Sequence, residues 1–194
     1  MRVPDPYLSV ADFWDLVEMH PQGRYEYIQG TVRDLHVLNL AALNTHEQIA
    51  ANVTGTFFTK LREKKSPCRV YGSNTYFYLS EKEGEEEYLS PDVTISCDKG
   101  DHQREKGITR PSIVVEVLSK GTALDDRTWK RDHYMACPSI QAYFIVDPHQ
   151  RAVTVYHRQE NGILEVTYGE HDDISLPAMD ITVDLDDIYY QVDF

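Results

Sequence analysis

Two acidic residues lie where their type and spacing could support metal-dependent chemistry. Glu116 is in the middle of the apolar run 113–119 (Ile-Val-Val-Glu-Val-Leu-Ser), which is typical of a strand covered on both faces. An ionised carboxylate buried in such a strand is costly unless a cation compensates it. Asp92 stands at the start of a second apolar stretch, Val93-Thr94-Ile95. Together the two residues predict a site for a divalent cation.

The ligand types select the cation. If the two strands are neighbours, the carboxylates of Asp92 and Glu116 converge, and oxygen ligands suit Mg²⁺ or Mn²⁺. The backbone carbonyl of Val117 could supply a further ligand. Because Mg²⁺ usually keeps several waters, two carboxylates and one carbonyl are enough, and one of the waters could act as the nucleophile. The predicted metal ligands are therefore Asp92, Glu116 and Val117.

A basic residue follows on a predicted helix. Asp126, Lys130 and Tyr134 recur at intervals of four and therefore share one helical face. If that face looks at the strand ends, Lys130 could orient or deprotonate the attacking water, or stabilise the charge of a scissile phosphate. Asp126 could hold Lys130 in place. The alternative is an ordinary surface ion pair, worth about 0.3–0.5 kcal/mol.

Structural explanations exist for the two acidic residues as well. Glu116 could lie on an edge strand with one solvated face, although Val114 and Leu118 share its side of the strand and favour burial. A Pro-Asp turn before a strand, as at Pro91-Asp92, is a common structural device. Asp92 therefore gains functional meaning only through Glu116.

The elements that must position these residues follow from periodicity and turn signals. Ser9 and Asp12 predict a capped helix that ends near Met19. A hairpin with a Gln29-Gly30 turn is predicted over 25–37, and a long amphipathic helix over 44–64. The remaining predictions are strands at 69–79, 92–97, 112–118, 142–146, 152–156 and 163–168, helices at 125–136 and 184–190, and polar loops at 80–87 and 98–110.

These elements predict one α/β domain over residues 1–194, with a mixed β-sheet flanked by helices and preceded by an N-terminal helix and hairpin. Residues 112–146 form a β-α-β unit, which implies parallel strands. A chain of 194 residues suits a single core. No apolar run is long enough to span a bilayer, and the first residues lack the apolar core of a signal peptide, so we expect a cytoplasmic protein without a membrane partner.

The charge balance argues against a general affinity for nucleic acid. The formal net charge is −13, whereas non-specific DNA binding depends on Lys and Arg that neutralise phosphates. Basic residues nevertheless gather at 60–69, 104–110 and 127–131. The last two groups flank the Glu116 strand, so a local basic face is an alternative to simple surface charge.

The cysteines and most histidines carry no metal-binding spacing. Cys68, Cys97 and Cys137 are widely separated, and we expect three reduced, partly buried thiols. A zinc site is not expected, because the histidines other than His46 are scattered. They are His20, His36, His102, His133, His149, His157 and His171.

Several of these fragments resemble a known family. The residues are Pro91-Asp92-Val93, Val115-Glu116-Val117-Leu118-Ser119, Asp126-x-x-x-Lys130-x-x-x-Tyr134 and Tyr143-Phe144-Ile145-Val146-Asp147-Pro148. Their combined spacing is similar to that of the Uma-two family, bacterial proteins regarded as endonucleases of the PD-(D/E)xK superfamily with the restriction-endonuclease-like fold. Tyr25-Glu26-Tyr27-Ile28-Gln29-Gly30 resembles the family's opening hairpin. The similarity extends from about Asp12 to Tyr190.

The resemblance implies roles for individual residues. Asp92 and Glu116 correspond to metal ligands, and Glu26 and His46 match family positions that can enter the site. The superfamily usually has a Lys two residues after the Glu, where this chain has Leu118. Lys130 is the position that the family pattern supplies instead. Lys120 is a weaker substitute because it follows the strand, and Glu26 and His46 could equally be a hairpin surface residue and a helix-end residue.

The leading hypothesis is a Mg²⁺-dependent (or Mn²⁺-dependent) endonuclease that hydrolyses DNA, with Asp92, Glu116 and Lys130 as the catalytic residues. The acidic charge and Leu118 favour an alternative, a catalytically inactive nuclease-fold module that binds nucleic acid or a protein partner. A third hypothesis is a structural oligomerisation domain. The resemblance also implies a homo-oligomer, for which we expect a dimer.

Overall fold

The computed structural model describes residues 7–35 and 44–194. Its helices are α1 (Val10–Met19), α2 (Asn44–Glu63), α3 (Ala123–Arg127), α4 (Trp129–Ala136) and α5 (Leu185–Ile188). Its strands are β1 (Tyr25–Ile28), β2 (Thr31–Asp34), β3 (Arg69–Gly72), β4 (Phe77–Ser80), β5 (Glu87–Leu89), β6 (Val93–Ser96), β7 (Ile113–Val117), β8 (Ala142–Val146), β9 (Ala152–Gln159), β10 (Gly162–Gly169), β11 (Asp173–Leu176) and β12 (Ile181–Asp184).

The strands form three sheets. The largest has the order β10-β9-β8-β7-β6-β3, and in it β7 and β8 are parallel while the other neighbours are antiparallel. The parallel pair confirms the predicted β-α-β unit. A four-stranded sheet has the order β2-β1-β5-β4, and β11 pairs with β12. Strands β6 and β7 are neighbours, as the proposed convergence of Asp92 and Glu116 requires.

Strand β7 is buried on both faces, as its apolar composition predicts. Ile113, Val115 and Val117 face a core that includes the α2 stripe Ile49, Val53, Phe57 and Leu61. Val114 and Leu118 belong to a second apolar cluster with Tyr134 and Tyr143 on the opposite face. Because side chains alternate along a strand, Glu116 points toward this second face. The edge-strand explanation of Glu116 is therefore wrong.

Local signals position the N-terminal elements. Ser9 Oγ accepts a 3.1 Å hydrogen bond from the Asp12 N–H, and the Asp12 carboxylate accepts a bond from the Ser9 N–H, which completes a capping box. Gln29 and Gly30 have φ values of 48° and 91°, the left-handed conformations of a tight hairpin turn. The hairpin of β1 and β2 is confirmed to Asp34, and the predicted end at Val37 lies outside the described residues.

Three predicted elements were wrong in detail. The strand expected over 69–79 is two strands, β3 and β4, in different sheets, because the chain turns at 72–75 to cross between them. The helix expected over 125–136 is interrupted at Thr128, which has φ −120° and ψ −100°. Glu87 is buried in β5 rather than solvated in a loop.

The pair β11 and β12 was not predicted, because aspartates interrupt its alternating apolar residues.

A disulfide corrects the expectation of three reduced thiols. Cys68 and Cys97 are bonded, and Cys137 is free. Cys68 directly precedes Arg69, and Cys97 directly follows Ser96. Arg69 and Ser96 are partners in the β3–β6 ladder. The antiparallel register therefore places the cysteines opposite each other. None of the helices in the described residues is long and apolar enough to cross a membrane.

Candidate active site

Lys130 lies at the centre of a cluster of buried carboxylates. Its Nζ is 2.8 Å from Glu26 Oε1, 3.0 Å from Glu116 Oε1 and 3.3 Å from Asp126 Oδ1. All four side chains are almost completely buried. The alternative of a surface ion pair between Asp126 and Lys130 is therefore wrong. The helical face that carries Lys130 is directed at the Glu116 strand.

The three carboxylates come from three different elements. On β1, Tyr25 and Tyr27 pack with Phe13 of α1, so the alternation of the strand turns Glu26 to the opposite side. On β7, Glu116 shares its side with Val114. Asp126 is in α3, and the break at Thr128 leaves it within ion-pair distance of Lys130 in α4. Glu26 is fully buried, so its interpretation as a surface residue is wrong.

Two buried tyrosines form hydrogen bonds with members of the cluster. The Tyr134 hydroxyl donates a 2.9 Å hydrogen bond to Glu116 Oε1, the same oxygen that Lys130 contacts. The Tyr143 hydroxyl donates a 3.0 Å bond to the backbone carbonyl of Asp126. Because both rings are fully buried and stack edge to face, they restrict the positions that the charged side chains can adopt.

Asp92 is held at the neighbouring strand end by three groups. Its Oδ2 accepts a 2.7 Å hydrogen bond from the Val117 N–H and lies 3.2 Å from His46 Nε2. Its Oδ1 lies 3.1 Å from an Arg24 guanidinium nitrogen. His46 Nε2 is also 3.0 Å from the Val117 carbonyl oxygen. The backbone of Val117, one residue after Glu116, thus connects Asp92, His46 and the predicted carbonyl ligand.

Arg24 is a member of the site that the sequence patterns did not identify. Its guanidinium bridges the Asp92 carboxylate and the Ser90 carbonyl, to which it donates a 2.8 Å hydrogen bond. It precedes β1 in a short irregular segment, and no spacing relates it to Asp92. The available signal was the presence of a cation beside the predicted hairpin, which does not point to any partner.

The site pushes the pKa values of its acids in opposite directions. Burial raises the pKa of Glu116 to about 8, against the opposing effect of Lys130, and burial also raises the pKa of Asp126. Burial would raise the pKa of Asp92 too, but the bonds from His46 and the charge of Arg24 outweigh it, and its pKa falls to about 2. Asp92 is therefore ionised at neutral pH, whereas Glu116 holds a proton unless a further cation binds.

Neighbouring carboxylates raise the pKa values of Lys130 and His46. Burial lowers the pKa of Lys130, but Glu116, Glu26 and Asp126 more than compensate, and the pKa rises well above its ordinary value. Burial likewise lowers the pKa of His46, and the bond to Asp92 outweighs it and raises the value. Lys130 is consequently an ammonium ion at neutral pH.

The site contains oxygen atoms of the type that a hard divalent cation prefers. In the part of the chain that the structure describes, the carboxyl groups of Glu26, Asp92, Glu116 and Asp126 lie beside three permanent cations, which are Lys130, Arg24 and, farther from them, Arg33. The oxygens of Glu26 and Asp126 are buried and receive no hydrogen bond of standard geometry from the described residues. Carboxylate oxygens are ligands that suit Mg²⁺ or Mn²⁺.

A complete metal cage is not preformed. Within residues 7–35 and 44–194, no three His, Cys, Asp or Glu side chains are arranged to enclose an ion. Mg²⁺ is commonly held by one or two carboxylates and several waters, so the predicted set of Asp92, Glu116 and the Val117 carbonyl does not require such a cage. Carboxylate and backbone carbonyl oxygens are the ligand types that this mode of binding uses.

The other sequence candidates lie elsewhere. Lys120 is exposed in the turn after β7, and Leu118 packs in the apolar cluster beside Tyr134. Among the described histidines, His102 contacts the Ser96 carbonyl and His157 the Tyr168 hydroxyl, away from the cluster. His36 lies outside the described residues. Lys130 is thus the lysine that the fold brings to the carboxylates.

Mixed sheets with helices packed against them define an α/β protein of the restriction-endonuclease-like class, as predicted. A solved structure supports this fold: the "putative nuclease belonging to DUF820" from Anabaena variabilis matches with a TM-score of 0.65. The match covers 85% of this chain and 89% of that one, at 16% identity. At this identity the likeness concerns the fold alone.

Residues 10–186 match the Uma2 family model, which bears the description "Putative restriction endonuclease". The chain belongs to this family, and the resemblance inferred from its motifs is confirmed. Two relatives from Synechocystis sp. are similar over nearly the full length. "Uncharacterized protein slr1290" is 27% identical over 96% of this chain and 93% of its own. "Uncharacterized protein sll1609" is 25% identical over 90% and 95%, respectively.

Proposed function

We propose that this protein is a Mg²⁺-dependent or Mn²⁺-dependent endonuclease of the PD-(D/E)xK type that hydrolyses phosphodiester bonds of DNA. The observation that supports it best is the contact of Lys130 Nζ with Glu116 Oε1 at 3.0 Å, beside the strand end that holds Asp92. Two strand-borne carboxylates and one lysine form the set that this chemistry needs. The family description and the nuclease fold agree with it.

In the proposed mechanism, Asp92, Glu116 and the Val117 carbonyl would hold a metal ion. When bound, the ion lowers the pKa of a water and neutralises charge on the phosphoryl group. Lys130 does not act as the base, because its raised pKa keeps it protonated at neutral pH. It instead stabilises the negative charge of the pentacoordinate phosphoryl group in the transition state. Glu26, Asp126 and Tyr134 orient Lys130 and Glu116.

His46 and Arg24 act on Asp92 in this proposal. Each bonds a different carboxylate oxygen, His46 at 3.2 Å and Arg24 at 3.1 Å. They keep Asp92 ionised and fix its rotamer. His46 also lies 3.0 Å from the Val117 carbonyl oxygen, so it has to yield part of this contact if that oxygen binds metal.

Nicking of supercoiled plasmid DNA with Mg²⁺ or Mn²⁺ tests the proposal. Wild type is expected to nick, and Glu116→Gln and Asp92→Asn are expected to lose at least about a hundredfold in rate, as is typical when a catalytic group is removed. Both replacements keep the shape of the side chain and remove its charge. Glu160→Gln, at an exposed turn, serves as the matched control and should nick normally.

Equal nicking by wild type and both site variants would remove the assignment. If folded wild type cleaves neither duplex nor single-stranded DNA with either metal, a second function is favoured. That function is a catalytically inactive nuclease-fold module. The observation behind it is that Lys130 already pairs with three carboxylates and that the described residues offer no preformed cage. A homodimer, a cytoplasmic location and a single domain over 1–194 remain predictions.

A further inference from the structure

Arg33 lies at the rim of the carboxylate cluster. It is the ladder partner of Glu26 across the β1–β2 hairpin, and its guanidinium is 3.9 Å from Glu26 Oε2. The same guanidinium pairs with Asp125 of α3 and lies over the Trp129 ring, 5.9 Å from its centroid. One side chain therefore connects the hairpin, the carboxylate cluster and the α3–α4 junction.

Arg33 is the most accessible cation in contact with the cluster. In the described part of the chain, four basic side chains lie within 4 Å of the carboxyl groups of the cluster or of the adjacent Asp92. Their exposed fractions are 25% for Arg33, 16% for Arg24, 7% for His46 and 2% for Lys130. A phosphate that approaches this site from solvent needs a cation at its edge, because the more deeply buried cations are harder to reach. Arg33 is best placed to supply it.

We propose that Arg33, supported by Trp129, binds a phosphodiester group of the nucleic acid strand next to the carboxylate cluster. The planar guanidinium presents two parallel N–H groups that match two phosphate oxygens. The half-buried indole lies against the guanidinium, and an indole ring can also stack with a base or sugar. The inference rests on the proposed function for the meaning of the neighbouring cluster.

Asp125 positions the guanidinium of Arg33. Two adjacent residues of α3 pair with two different cations, Asp125 with Arg33 and Asp126 with Lys130. The Asp125–Arg33 pair is partly exposed, and such pairs are weak. A phosphate can therefore take the place of the Asp125 carboxylate without a large loss of stability. Asp125 holds the guanidinium in position until then.

Equilibrium DNA binding in the presence of a chelator tests the proposal without interference from cleavage. Fluorescence anisotropy with a short labelled duplex and the corresponding single strand would compare wild type with Arg33→Gln. We expect Kd to rise about tenfold for Arg33→Gln. The magnitude of the slope of log K against log salt should fall by the amount that corresponds to about one phosphate contact. The control Arg127→Gln, at an exposed arginine of α3, should change Kd by less than about twofold.

Asp125→Asn separates phosphate binding from a purely structural role. If Arg33 only ties the hairpin to α3, both Arg33→Gln and Asp125→Asn break the same tie and weaken DNA binding equally. If Arg33 binds phosphate, Asp125→Asn removes a competing carboxylate, and its affinity for DNA should equal or exceed that of wild type. Equal losses in the two variants would overturn the proposal, as would wild-type affinity and salt slope in Arg33→Gln.

Plasmid nicking by the same variants separates this inference from the proposed function. A wild type that binds DNA through Arg33 but nicks no plasmid would refute the endonuclease and leave the phosphate site standing. If wild type nicks the plasmid and Arg33→Gln binds and nicks normally, the endonuclease is supported and the phosphate site is refuted. Failure of wild type to bind either DNA would overturn both. If Arg33→Gln does not fold, Arg33→Lys keeps the charge but loses the two-pronged contact, and we expect about threefold weaker binding.

Discussion

The ammonium of Lys130 lies 2.8 Å from Oε1 of Glu26, which joins helix α4 to the N-terminal hairpin. The hairpin is thus part of the candidate site and not an appendage to the large sheet. Its two strands contribute opposite charges to neighbouring positions, Glu26 to the buried cluster and Arg33 to its rim. Changes in the hairpin should therefore affect both stability and activity.

The first prediction concerns pH and Glu116. The pKa of Glu116 is raised from an ordinary value of 4.5 to about 8, so between these values the folded protein keeps a proton that the unfolded chain releases. The free energy of unfolding then falls as pH rises through this window, and the full loss is reached above pH 8. Glu116→Gln cannot lose a proton, so its stability relative to wild type should increase from pH 5 to pH 8.

Urea denaturation at a series of pH values measures this effect. One pKa unit corresponds to about 1.4 kcal/mol, and we expect a gain of at least that size for Glu116→Gln across the window. Glu160→Gln provides the comparison for loss of an exposed acid. A constant difference between Glu116→Gln and wild type at all pH values would contradict the raised pKa.

The second prediction concerns removal of the central cation. Lys130→Met keeps much of the side-chain volume but leaves Glu26, Glu116 and Asp126 without their shared partner. Breaking a buried ion pair in this way costs about 3–5 kcal/mol, and we expect a loss in this range from urea denaturation at neutral pH. Combining it with Glu116→Gln removes one of the stranded acids, so the double variant should lose less than the sum of the single effects. Additive losses would show that Lys130 and Glu116 are not coupled.

The third prediction concerns metal binding. Because Glu116 holds a proton at neutral pH in the metal-free protein, binding of Mn²⁺ should release a proton and should strengthen as pH rises toward 8. Titration calorimetry in buffers with different heats of ionisation measures the number of protons released. Asp92→Asn should weaken binding at least about tenfold through loss of a ligand charge. Unchanged Mn²⁺ affinity in Asp92→Asn would exclude this residue as a ligand.

The fourth prediction concerns the Cys68–Cys97 disulfide, which links the ends of β3 and β6 beside the sheet edge. The two cysteines are 29 positions apart in the chain, and the entropy of the unfolded chain suggests a stabilisation of up to about 3–4 kcal/mol. Cys68→Ser, or reduction of wild type, should therefore lower the melting temperature. Cys137→Ser tests for a general effect of removing a thiol and should change little. A melting temperature that is insensitive to reductant would show that the bond does not stabilise the fold.

Local patterns predicted much of the fold. The Ser9 capping box, the Gln29-Gly30 turn, the α2 stripe and the apolar strand around Glu116 depend on residues close in the chain, and each appears where expected. The parallel pairing of β7 and β8 followed from the intervening helices. The split of 69–79 into β3 and β4 did not follow, because a change of sheet leaves no mark on local periodicity.

The sequence by itself determined that Glu116 lies in an apolar strand and favoured its burial, since the composition of a strand is a local property; that the Asp92 strand is its neighbour was decided by the sheet order. Only the tertiary structure decided that Glu26 is buried, that Arg24 and His46 share the Asp92 carboxylate, and that Cys68 meets Cys97. These relationships depend on sheet order and strand register, which join distant segments. The same packing brings Lys130 to three carboxylates, and no spacing in the chain encodes all three contacts.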